Sequence, residues 1–118
     1  MADELSISAR LNFEKSGGKV RRSESKTVDV AGDAFTHDIQ SIAITETVVA
    51  QGAAVGTPGY LFIKNLNATY YVTVGSTTGV YDIKLLPGEF ALYRHNSAVI
   101  YALAVGGVCL VEYILIEL

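Results

Sequence analysis

The side chains in this sequence that could do chemistry beyond packing are two histidines, His37 and His95, one cysteine, Cys109, and a scatter of carboxylates. Nucleophilic catalysis needs a nucleophile, a base beside it and a group that orients the base. Asp38 is the local candidate to orient His37, but neighbours along a strand point to opposite faces, so Asp38 is poorly placed for that role. Both histidines are therefore expected as polar residues of turns or strand ends. No Gly-x-Ser-x-Gly elbow is present. The chain is not expected to be an enzyme.

Metal chemistry fares no better, because the histidines and the cysteine lie far apart without Cys-x-x-Cys or His-x-x-x-His spacing. Asp33, Asp38 and Asp82 could in principle bind calcium from loops, but no calcium-loop motif joins them. Glu46, Glu89 and Glu112 are expected as solvent or interface charges rather than a glycosidase pair. Gly17-Gly18-Lys19 lacks the spacing of a phosphate-cradling loop and the helix that would follow one. No cofactor is expected. Cys109 sits in the apolar run Val108-Cys109-Leu110-Val111, where a thiol behaves as a small buried hydrophobe.

The elements that must carry these residues are strands. Leu5, Ile7, Ala9, Leu11 and Phe13 alternate with Ser6, Ser8, Arg10 and Asn12, the period of a half-buried strand. Short runs rich in Val, Ile, Thr and Tyr recur between turn residues, the pattern of an antiparallel sandwich. They are a strand from 26 to 30, a region of alternation from 41 to 49, and Tyr60 to Ile63, apolar on both faces and so central. Thr69 to Val74 is expected as the hairpin partner of that strand. Further strands run from 80 to 85 and, past the Pro87-Gly88 turn, from 89 to 94. Ala98 to Val105 and Val108 to Glu117 are expected as a hairpin around Gly106-Gly107, with low polarity on both faces implying core on one side and another sheet or subunit on the other. That hairpin is preferred over a membrane span for 97–116, because the glycine pair breaks the run and no basic flank follows. The fold class is all-β, an antiparallel sandwich, jelly-roll-like, in a single domain over 1–118.

Half of the 118 residues are hydrophobic and 18% are charged, so the chain has little polar cover and some apolar surface should meet a partner. The net charge of −3 argues against general nucleic-acid binding. The acidic start Met1-Ala2-Asp3-Glu4 is unlike an export signal. Within residues 1–26, the first strand is followed by a basic stretch, Lys15, Lys19, Arg21, Arg22 and Lys26, expected as a loop that could reach a neighbouring subunit or an acidic surface. Together with Leu5 and Ile7 on the first strand, and Val55 and Pro58 in the glycine-rich 51–59 loop, these residues form the candidate contact surface.

Three segments, Thr57-Pro58-Gly59-Tyr60-Leu61-Phe62-Ile63-Lys64-Asn65-Leu66, Thr69-Tyr70-Tyr71-Val72 and Leu86-Pro87-Gly88-Glu89-Phe90-Ala91-Leu92, with the closing Val111 to Glu117, resemble small virion proteins of tailed bacteriophages. The resemblance covers the C-terminal half. It implies a structural class and no site residues: a capsid decoration or cement protein, homo-oligomeric with a trimer preferred, binding the major capsid protein or other virion proteins. Its location would be the virion, assembled in the host cytoplasm. The rival expectation is a carbohydrate- or receptor-binding module of a tail or head fibre, or another neck or tail component. The nine tyrosines and phenylalanines from Tyr60 to Tyr113 could serve either, but a chain without tryptophan lacks the largest sugar-stacking face. Asn67-Ala68-Thr69 matches a glycosylation acceptor, without consequence in a chain expected to bypass secretion.

Overall fold

A computed structural model describes residues 4–117; Met1, Ala2 and Asp3, part of the acidic start considered above, and Leu118 lie outside the described residues. The chain divides into two compact units, residues 1–31 and 32–118. The first of these units holds the basic stretch that the sequence pattern predicts as a loop.

That stretch is not a loop. It forms strand β2 (Gly18–Val28), antiparallel to β1 (Leu5–Lys15) over eleven consecutive pairs from Leu5↔Val28 to Lys15↔Gly18. Ser16 and Gly17 both have positive φ, 51° and 85°, as a two-residue type I′ turn requires for its twist to match the strands. Directly paired residues share a face. One face carries Leu5, Ile7, Ala9, Leu11 and Phe13 with Val20 and Val28; the other is polar throughout, pairing Arg10 with Ser23, Asn12 with Arg21 and Glu14 with Lys19. The basic run escapes recognition as a strand because its own alternation is masked by charge on both faces, Arg22 and Lys26 lying on the apolar one.

Residues 32–118 form an all-β sandwich of two antiparallel four-stranded sheets. The first has the order β3 (Phe35–Ile42), β10 (Cys109–Glu117), β5 (Pro58–Asn65), β8 (Phe90–Arg94). The second has the order β4 (Thr47–Val48), β9 (Tyr101–Val105), β6 (Tyr71–Gly75), β7 (Ile83–Leu85). Alternation sends Leu61, Ile63, Val111, Tyr113 and Leu115 of the first sheet, and Val72, Val74, Ala102 and Ala104 of the second, into one shared core.

Every connection except β6 to β7 crosses from one sheet to the other. Three expected hairpins are thereby corrected, one of them the return from 80–85 to 89–94 past Pro87-Gly88, whose strands β7 and β8 fall in different sheets. The 69–74 segment supplies β6 of the second sheet and does not pair with β5, and β9 and β10 belong to different sheets. The physical reason lies at the turns. A Cβ on Gly107 would come within 2.3 Å of the Tyr70 ring, and Gly106 has φ +97°, so the glycine pair makes a tight inter-sheet crossing beneath an aromatic ring. Asn65, fully buried at the end of β5, donates from Nδ2 to the Tyr70 and Leu85 carbonyls, 3.0 Å each, and accepts the Asn67 amide at Oδ1. One amide side chain thus ties the first sheet to the entry of β6 and the end of β7, where a hairpin would have needed only a surface turn.

Candidate interaction surface

The outer face of the first sheet is built from the residues that alternate with its core set. The strand registers align them in rows across β3, β10, β5 and β8: Phe35, Ile116, Tyr60, Arg94; then His37, Ile114, Phe62, Leu92; then Ile39, Glu112, Lys64, Phe90. Phe35 is 67% exposed, Phe90 64%, Ile39 56% and Leu110 51%. Contiguous apolar area of this kind is unusual on a surface without a partner. The rings are mutually supported, with Phe62 and Phe90 centroids 5.8 Å apart and the Arg94 guanidinium 5.7 Å from the Tyr60 ring.

Charge on this face is sparse. Glu112 accepts a 2.9 Å contact from His37 Nε2 across the β10–β3 pair. Lys64, half-buried beside Glu112 in the register, has no ion-pair partner within 4 Å among the described residues. A cation held in an apolar sheet face without such a partner is better satisfied when an anion is brought to it than when apolar surface merely covers it.

The second exposed apolar surface is on the β1–β2 hairpin, where Leu11 is 60% exposed and Phe13 and Val20 are each 54% exposed. Arg10, Lys15, Lys19, Arg21, Arg22 and Lys26 outweigh Glu14 and Glu24 along these strands, so the hairpin strands are cationic while residues 32–118 are acidic. Its ion pairs, Lys19 with Glu14 and Arg22 with Glu24, are solvent-exposed and contribute little to stability.

Of the sequence candidates, Lys15, Lys19, Arg21, Arg22 and Lys26 are exposed on the hairpin, and Leu5 and Ile7 are half-buried there. Val55 and Pro58 are not on a surface: Val55 is part of the sandwich core and Pro58 is buried at the start of β5. The 51–59 loop is tied down, with Thr36 Oγ1 donating to the Gln51 carbonyl, Gln51 donating to the Ala98 carbonyl, and the Gly56 amide donating to Glu117. Its exposed positions are Gly52, Ala53, Ala54, Gly56 and Thr57, which offer little side chain to a partner. The outer-face residues of β3, β5, β8 and β10 carry the larger surface. Their signal in the sequence was the two-sided apolarity of β5 and β10.

The titratable residues are dispersed. His95 is buried at the end of β8, its Nε2 donating to the Val99 carbonyl at 2.8 Å and its Nδ1 3.3 Å from the Tyr93 hydroxyl, a hydrogen-bond pattern that fits a structural imidazole. Burial pushes the Tyr93 hydroxyl up to about 12. Cys109 is buried in the core, and burial raises its thiol. The Tyr81 hydroxyl, 2.6 Å from Glu46, and the Gly79 amide hold the Glu46 carboxyl below its ordinary value. Among the described residues no three His, Cys, Asp or Glu side chains gather as metal ligands would. No helix of the described residues is long and apolar enough to cross a membrane. Asn67 of the glycosylation-like triplet is engaged in structure, its Oδ1 accepting the Thr69 and Tyr70 amides at 2.7 Å.

No protein-family model, no curated protein and no solved structure matches this chain.

Proposed function

We propose that this protein is a non-enzymatic structural component of a tailed-phage virion, a decoration or cement protein that self-associates and binds the head. The observation that carries this reading is the hairpin. An isolated two-stranded ribbon is at best marginally stable in water. Eleven matched pairs, with exposed apolar residues on one face and cations along the strands, suit a ribbon that gains cover from another molecule. Its partner is an acidic protein surface, such as that of the major capsid protein.

The interleaved order of the eight sandwich strands supports the jelly-roll reading, an architecture used repeatedly in viral shells. The resemblance of the 57–66, 69–72, 86–92 and 111–117 segments to phage virion proteins points the same way. The test is co-sedimentation of the purified protein with phage heads that lack it, combined with mass by light scattering. Binding that weakens with salt, and weakens further in a Lys19→Ser/Arg21→Ser variant, is expected. A strict monomer that ignores heads overturns the proposal.

A further inference from the structure

We infer that the outer face of the β3-β10-β5-β8 sheet is a two-fold interface with a second copy of this chain. The inference rests on the self-association reading only in requiring that copies meet, and it names where. The rows of this face are self-complementary in a specific way. A two-fold axis lying in the face, parallel to the strands and midway between β10 and β5, folds each row onto itself. Ile114 then meets the partner's Phe62, Ile39 meets the partner's Phe90, and Glu112 meets the partner's Lys64.

The last pair decides in favour of a second copy over an unrelated apolar surface. Lys64 has no ion-pair partner within 4 Å among the described residues of its own chain, and the symmetry that sets Ile114 on Phe62 and Ile39 on Phe90, with Phe35 on Arg94 and His37 on Leu92 towards the edges, brings one partner carboxylate to each Lys64, a pair made twice in the dimer. The axis also runs through the centre of the four-strand sheet, so the overlap is the largest that the face allows. The four residues that are more than half exposed, with Leu92, present on the order of 500 Å² of accessible surface. The half-buried residues between them bring the face to the scale of a standard interface, roughly 800 Å² per partner. Two sheets meeting this way pack as aligned layers about 10 Å apart.

The experiment is sedimentation of the full chain over a range of concentrations, with thermal melting of each variant as the control for folding. Wild type is expected to form dimers. Ile39→Ser/Phe90→Ser, at positions exposed enough to leave the fold intact, should weaken dimerisation by about a hundredfold. Lys64→Glu and Glu112→Lys should each weaken it by about tenfold or more, and the double exchange should restore it. Phe13→Ser on the hairpin should leave this dimer unchanged. If the sheet substitutions are silent while Phe13→Ser abolishes association, copies meet through the arm and the inference is overturned while self-association stands. A wild-type chain that stops at trimers with the sheet substitutions silent overturns it equally. A wild-type chain that stays monomeric at every concentration overturns both.

Discussion

The hairpin and the sandwich are made from the same element, the antiparallel strand, yet they stand at opposite ends of what a strand can do alone. In residues 32–118 each strand turns one face onto a core in which Leu61, Ile63, Val111 and Leu115 are fully excluded from water, and the buried Asn65 amide is fully engaged. In the hairpin the backbone register is as regular as any in the molecule, but the apolar side chains opposite Val20 and Arg22 stay wet. Register comes from hydrogen bonds and a well-chosen turn. Stability comes from removing apolar area from water, and one layer cannot do that for itself.

Amide exchange should expose that contrast most widely. The amides of β5 and β10 are expected to exchange by global unfolding, at least about a thousandfold more slowly than those of β1 and β2 in a free chain. Equal protection in both units would mean that the hairpin is already covered.

Within the sandwich, Leu61→Ala should lower stability by about 2–5 kcal/mol in denaturant melts, the cost of a cavity in a close-packed core. Asn65→Leu should cost about 3 kcal/mol, since the Tyr70 and Leu85 carbonyls lose their donor. Alkaline titration sharpens the comparison further. Tyr93 has a folded-state value raised to about 12, against about 10 unfolded, so the native state holds its proton longer. Stability should fall as pH rises from about 10 to about 12, and Tyr93→Phe should flatten that fall in a pH series of melts. At the small end, Phe13→Ser should change the stability of the free chain by less than about 0.5 kcal/mol while reducing binding to phage heads.

What the sequence discloses follows the same divide between local and long-range causes. The alternation of 5–13, the two-sided apolarity of Tyr60 to Ile63 and the β-branched runs announce an all-β chain, because the two-residue period is written locally. The path between sheets is not local. Thr69 to Val74 and Val108 to Glu117 read as hairpin partners of the strands before them because a short glycine- or asparagine-rich link looks the same whether it reverses a chain within a sheet or carries it across. Only the packing of Tyr70 over Gly106-Gly107, and the reach of Asn65 to Leu85, decide between the two. The outer-face surface was half legible. Apolarity on both sides of β5 and β10 indicated a second contact, but the alignment of Ile39, Glu112, Lys64 and Phe90 in one row exists only once the register is known.

The position of β10 has a consequence for how the protein is made. This strand, which follows β3 and β5 in the sequence, lies between them and supplies Val111, Tyr113 and Leu115 to the core. Until it has left the ribosome β3 has no sheet partner and β5 can pair only with β8, so the first sheet has no middle. The hairpin, by contrast, needs only residues within two dozen positions of each other and can close within microseconds of emerging. In a nascent chain the hairpin would therefore form early but stay marginally stable, while the sandwich waits for the strand that fills the middle of its first sheet.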